Sequence, residues 1–173
     1  MNTHGAQPHG AQPHGASTPA VVALVRAGIP HTLHPYEHDP ESDLGYGLEA
    51  AAAIGVEPSR VFKTLCVDAD GALAVAIVPV DAKLDLKAVA SALGAKRAAM
   101  AEPAAAERAT GYVVGGISPI GQRRRLKTVL DSSALGFDAV YVSGGRRGLD
   151  VGLAPTDLVA VTGATTAPIA RTA

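Results

Sequence analysis

Val61 to Val80, VFKTLCVDADGALAVAIVPV, reads as two strands joined by a turn. From Val61 to Val67 the side chains alternate, so that Val61, Lys63 and Leu65 share one face and Phe62, Thr64 and Cys66 the other. Asp70-Gly71 is a turn dipeptide. Ala72 to Val80 then returns almost wholly apolar, the composition of a strand covered on both faces. The pair is a buried hairpin. Lys63 is the residue that does not suit such a place. Flanked on its own face by Val61 and Leu65, it either snorkels to solvent or occupies a pocket where desolvation lowers its pKa, and the sequence leaves both open. Cys66 reads as a small buried apolar residue.

Helices are expected on both sides of this hairpin. Upstream, Thr18-Pro19 is a hydroxyl cap followed by proline in the first turn, with Val21, Leu24, Val25 and Ile29 as a core-facing stripe before Gly28 and Pro30 close the segment. Thr32 to Tyr36 reads as a short strand, Asp39 to Asp43 as a loop, and Tyr46 to Ile54 as an alanine-rich helix stopped by Gly55. Downstream, Asp85 caps a helix that ends at Gly94, and Pro103 to Thr110 forms another that ends at Gly111. Lys127 to Leu130, Ala139 to Ser143 and Leu149 to Leu153 read as strands, with Gly144-Gly145 as the turn between the last two. Pro155 to Val161 is a final helix.

Between these elements lies TGYVVGGISPIGQRRRLK, Thr110 to Lys127. Tyr112, Val113 and Val114 read as an extended run leading into Gly115-Gly116. Paired glycines followed by the fixed Pro119 make either an ordinary turn or a place where bare backbone amides approach a ligand. Arg123, Arg124 and Arg125, with Lys127 and also Arg146 and Arg147, form the densest basic stretch. It is either a solvated loop or a contact for nucleic-acid phosphate.

The chain has 173 residues, 47% hydrophobic but only 3% aromatic, so its core must be built from Val, Leu, Ile and Ala. With 15 Lys plus Arg against 16 Asp plus Glu the net charge is -1, which excludes a whole-molecule electrostatic grip on nucleic acid. A single cysteine cannot cross-link the fold internally. The absence of a cationic and apolar leader leads to the expectation of a cytoplasmic protein, and no apolar run approaches the ~18 residues of a membrane helix. Residues 1–17 contain the repeat HGAQP and are expected to be a disordered tail, with His4, His9 and His14 at most a weak metal trap. Residues 18–173 are expected to form one domain. About half a dozen strands without regular βαβ alternation indicate an α/β protein of mixed type with a curved sheet.

No G-x-S-x-G elbow, HExxH, P-loop, G-x-G-x-x-G or paired cysteines are present. Three words do carry a resemblance: FKTL at Phe62 to Leu65, GYVVGGISPIGQ at Gly111 to Gln122 and YVSGGRRGLDV at Tyr141 to Val151. In that order they closely resemble the YbaK branch of the YbaK/prolyl-tRNA-synthetase-associated family, and the likeness runs from Thr18 to about Gly163.

The resemblance implies a single-domain mixed β-barrel of about six to seven strands with surrounding helices. It also implies a deacylase that removes cysteine mischarged onto tRNA(Pro), with the substrate's own thiol attacking its ester, without cofactor or metal and in transient company with prolyl-tRNA synthetase. Cysteine and proline are close enough in bulk to defeat a single binding pocket, which is why a second, editing site is needed. On this resemblance Lys63, Gly115 and Gly116 carry the chemistry. Tyr36, Tyr46, Thr64, Ser118, Pro119, Ser143 and Asp150 bind substrate, and Arg123, Arg124 and Arg125 meet the tRNA. The alternatives are a deacylase for alanine or another small residue, and a non-catalytic module that binds tRNA or the synthetase.

Overall fold

The computed structural model describes residues 18–41 and 44–172. The expected disordered tail, its three histidines and part of the Asp39 to Asp43 loop lie outside the described residues. In chain order the elements are α1 (Pro19–Arg26), β1 (Thr32–Pro35), α2 (Tyr46–Ile54), β2 (Phe62–Ala69), β3 (Ala72–Pro79), β4 (Ala82–Leu84), α3 (Leu86–Ala92) and β5 (Ala98–Met100). They continue with α4 (Pro103–Thr110), β6 (Lys127–Asp131), β7 (Val140–Arg146), β8 (Leu149–Leu153), α5 (Pro155–Thr162), β9 (Thr165–Ala167) and β10 (Ala170–Thr172).

The β2–β3 hairpin is the middle of a mixed five-stranded sheet of order β5-β2-β3-β6-β9. Its β5-β2 and β2-β3 pairings are antiparallel, while β3-β6 and β6-β9 are parallel. Both faces of β3 are covered: Val75 and Ile77 face one apolar cluster, and Ala74, Ala76 and Val78 the other. This double cover is what its continuous apolar run implied.

A second sheet, β1-β8-β7, is antiparallel throughout and packs one face onto the first cluster through Leu149, Val151, Val140 and Val142. β10 pairs with β4 in a third. The α1 cap behaves as expected: Thr18 Oγ1 accepts from Val21 N at 3.2 Å and donates to Gly144 O, tying the helix to β7. Ala20, Val21 and Leu24 are buried, but Val25 is 65% exposed, so the stripe is narrower than expected.

The architecture is a mixed α/β single domain, and it corrects four expectations. The barrel does not close: the described strands form three open sheets, joined between β2 and β7 only by an isolated parallel bridge, Val61 to Tyr141. Among the described residues the strands number ten, because β4, β5, β9 and β10 are three-residue strands defined by their partners and too short to show a pattern of their own.

Tyr112 to Val114 is loop. Val113 and Val114 are exposed, and only Tyr112 is buried, its hydroxyl donating to Ile120 O at 2.6 Å. Finally, Gly144-Gly145 is a bulge inside β7, where pairing jumps from Ser143–Asp150 to Arg146–Leu149, and the chain reverses at Arg147-Gly148. A Cβ on Gly145, at φ +106°, would meet Tyr112 and Thr18, so this glycine serves close packing and twist.

Candidate active site

β5 pairs with β2 only at Val67, Asp68 and Ala69, so the edge of β2 from Phe62 to Cys66 is left without a neighbouring strand apart from the Val61 bridge. A cavity of about 460 Å³ fills this gap. Val80 N donates to Val61 O, which directs the odd positions toward β3; Ala101 N donates to Cys66 O, which directs the even positions toward the gap. By strand alternation Thr64 therefore turns its N–H and C=O to the cavity edge. Its Oγ1 is buried and has no hydrogen-bond partner among the described residues.

The second wall is the face of the β1-β8-β7 sheet that points away from the apolar cluster. Ser143 and Asp150 stand directly opposite each other there and both line the cavity, with Tyr36 just beyond β1. Tyr46, at the first turn of α2, and Gly115 complete it. Seven of the expected site residues thus share one cavity: Tyr36, Tyr46, Lys63, Thr64, Gly115, Ser143 and Asp150.

The rest do not line it. Gly116 is buried, and its N–H is spent on Val113 O at 2.8 Å, so it is not a free oxyanion donor. A Cβ there would lie 2.8 Å from Arg146 Cα, which makes Gly116 the point where the loop rests on the β7–β8 hairpin. Ser118 is buried behind the loop, accepting from Ile120 N through Oγ and from Gln122 Nε2 through its carbonyl, and Pro119 is buried beside it.

Arg123, Arg124 and Arg125 are outside the cavity lining. Arg123 lies against Gly111, the C-cap of α4, and Arg125 against Gly163, the C-cap of α5. Cations at these ends complement the helix dipoles.

Burial sets the electrostatics. Asp150 is only 6% exposed and makes no ion pair or side-chain hydrogen bond among the described residues; desolvation pushes its carboxyl up to about 7. Desolvation, with the nearby Asp150 charge, raises Tyr36 to about 12. Lys63 is half-buried in the cavity lining, and desolvation lowers its pKa against an opposing pull from Asp81. Cys66 lines the cavity, but burial raises its thiol pKa, the opposite of what an activated nucleophile needs. Ser143 Oγ accepts from Gly145 N at 3.1 Å, and neither Ser118 nor Ser143 is bonded to a histidine among the described residues.

The cavity has further walls that residue types alone did not signal. Met100, Ala101, Pro103 and Ala106 form an apolar side between β5 and α4. Arg146, which follows the β7 bulge, forms part of the mouth. His38 ties the segment before α2 to that helix. Its Nδ1 hydrogen-bonds Glu49 Oε1 at 2.7 Å, and its ring lies 4.6 Å from that of Tyr46. That bond, with a second from Asp39 N, holds the Glu49 carboxyl below its usual range and fastens the segment before α2 beside the cavity.

Residues 47–161 match the aminoacyl-tRNA editing domain family. The Enterococcus faecalis protein EbsC, named provisionally as a Cys-tRNA(Pro)/Cys-tRNA(Cys) deacylase, is 39% identical over 113 residues, 65% of this chain and 69% of that protein. A stretch of the proline–tRNA ligase of Moorella thermoacetica is 36% identical over 73 residues, 42% of this chain but 13% of the ligase. A crystal structure described as a candidate trans-editing enzyme for prolyl tRNA synthetase superposes with a TM-score of 0.79 at 25% identity, covering 88% of this chain and 95% of the other. The matched span contains the free edge of β2, the Gly115 loop and the Ser143–Asp150 pair, so sequence, fold and cavity agree: the chain belongs to the YbaK/EbsC aminoacyl-tRNA editing domain family.

Proposed function

We propose that this protein deacylates cysteinyl-tRNA(Pro) in trans, with the substrate's sulfur as the nucleophile. The observation that carries the reading is the cavity itself, in which a buried carboxylate without a partner among the described residues shares a wall with Ser143 and a cavity with Lys63 and Gly115. Asp150 would receive the α-ammonium of the aminoacyl group, with Ser143 beside it. An incoming ammonium returns Asp150 to its charged form and offsets the desolvation. Gly115, whose N–H donates to no group among the described residues, would hold the ester oxygen as charge develops on it. Tyr36 and Tyr46 would pack against the terminal adenosine.

The cysteinyl sulfur then attacks its own carbonyl carbon. The S–C bond forms, the C–O bond to the ribose breaks, and the thiol proton passes to the departing ribose oxygen. Water opens the resulting cyclic thioester and releases cysteine. Lys63 either favours the thiolate or binds the acceptor-end phosphate. Since the protein's task is to fold the substrate onto itself, orientation supplies the acceleration, worth up to ~7–11 kcal/mol in well-aligned intramolecular reactions. Gly116, Ser118 and Pro119 would act by shaping the loop. Arg123, Arg124 and Arg125 would touch tRNA phosphate weakly, in transient company with prolyl-tRNA synthetase.

The test is incubation with cysteinyl-, alanyl-, seryl- and prolyl-tRNA(Pro). Loss of the cysteinyl ester alone supports the proposal. Rapid loss of the seryl ester contradicts thiol assistance, loss of only the alanyl ester supports an alanine deacylase, and tight binding without turnover supports a binding module.

A further inference from the structure

The Val114–Gly115 segment is held by side chains from two elements that are distant in sequence. Glu107, on α4, accepts the Val114 N–H through Oε2 at 2.8 Å. Arg147, at the tip of the β7–β8 hairpin, donates from a guanidinium N–H to the Val114 carbonyl at 2.8 Å. Both hydrogen-bonding groups of one residue are therefore taken from outside the loop, immediately before the glycine whose amide is left free. The same guanidinium lies 5.0 Å from the centre of the Tyr46 ring, another residue of the cavity wall. It also passes so close to Gly115, at φ +95°, that a Cβ there would come within 2.5 Å of Nε. One arginine thus joins the hairpin, the glycine loop and the start of α2, three of the elements around the cavity mouth.

On the deacylase reading proposed above, we infer that Arg147 and Glu107 are positioning residues: they clamp Val114 so that the Gly115 amide stays aimed at the reacting ester. Arg147 is exposed, so its truncation costs the fold little. A loop that carries an electrophile-stabilising amide on an otherwise exposed segment needs such a fixture, because a donor displaced by an ångström loses much of its effect on the transition state. An arginine suits the role better than a lysine. Its planar guanidinium donates to the carbonyl while its charge lies over the Tyr46 ring, whereas a lysine would have to hold a single ammonium in place on a flexible stem.

The experiment is single-turnover deacylation of cysteinyl-tRNA(Pro) by the full chain and its Arg147→Ala, Arg147→Lys, Glu107→Ala and doubly alanine-substituted variants. It is paired with amide hydrogen exchange at Val114. Arg147→Ala is expected to lower the rate at saturating tRNA by roughly 10- to 100-fold with a nearly unchanged melting temperature. Arg147→Lys recovers little of it. The double variant falls by less than the product of the single effects, since both act on one residue. Val114 exchange accelerates by about tenfold or more while β3 is unaffected.

A saturating rate equal to wild type, a defect confined to KM, or full rescue by lysine would make Arg147 a phosphate contact and overturn the clamp. Val114 exchange unchanged in both single variants would overturn it too. Wild-type inactivity on cysteinyl-tRNA(Pro) would instead sink the deacylase reading, and the exchange measurement would still decide the clamp by itself.

Discussion

The β2–β3 and β7–β8 hairpins obey the same alternation and put it to opposite uses. In β3 both faces meet apolar clusters, and Val75, Ala76, Ile77 and Val78 are fully buried. In β7 and β8 the faces divide the work: Val140, Val142, Leu149 and Val151 turn to the core, while on the other face Tyr141 packs on the small Ala50, Ala51 and Val61 cluster and Ser143 and Asp150 line the cavity. Asp150 is nearly as buried as its apolar neighbours, yet nothing in the described protein satisfies it. Polar groups kept away from water without partners are costly. In this fold they gather around one cavity, and β2 is shared between the two regimes, with its outer edge open at Thr64 and Lys63 also in the cavity lining.

The largest expected effect tests the core side of that contrast. Ile77→Ala should destabilise the fold by about 2–5 kcal/mol in denaturant unfolding, the range for removing buried methyl and methylene groups from a tight core. A loss below about 1 kcal/mol would mean that the Val75 and Ile77 face of β3 is not tightly packed.

On the cavity side, Lys63→Ala should leave the unfolding midpoint close to wild type while lowering deacylation by roughly 100-fold, comparable to loss of one charge-stabilising group. Full activity in that folded variant would remove Lys63 from the site.

Asp150→Asn gives the sharpest reversal, because removing a buried charge should hold or raise stability at pH 8, by about 1–3 kcal/mol, while substrate binding weakens. The pH dependence has a definite sign. The folded carboxyl titrates near 7 and the unfolded one near about 3.9, so between these values the folded state binds the extra proton. The Asp150 contribution therefore makes stability fall as pH rises from about 4 to about 7, then level. The asparagine variant should lose that slope, and an unchanged pH profile would show that Asp150 is not buried as a charge.

The smallest effect concerns the basic loop. Arg125→Gln should cost about 0.3–1 kcal/mol at low salt through the α5 C-terminus, and less at high salt. A loss above that range would indicate a contact other than the helix end.

Elements bounded by strong local chemistry are legible in the amino-acid order alone. Tyr46–Ile54 and Pro103–Thr110 end at glycines in the left-handed region, and the Ala72–Pro79 strand shows its double cover in its composition. Val113 and Val114 mislead for the same reason that the pattern usually works. β-branched residues favour strands, but here the flanking glycines and the Glu107 and Arg147 contacts impose a turn. The Gly144-Gly145 bulge is also out of reach, because a pair of glycines reads alike whether it reverses a chain or lets it pass against Tyr112 and Thr18.

The amino-acid order by itself determined the local periodicities, the helix ends and the three family words, since these depend on neighbours within a few residues. It also held the residue types of the site. Only the tertiary structure decided that Lys63, Gly115, Ser143 and Asp150 meet, that Gly116 spends its amide inside a turn, and that the sheets stay open between β2 and β7. The physical reason is distance along the chain: strand pairing, desolvation of Asp150 and the reach of Arg147 to Val114 join segments tens of residues apart, and their energies exist only once those segments are packed.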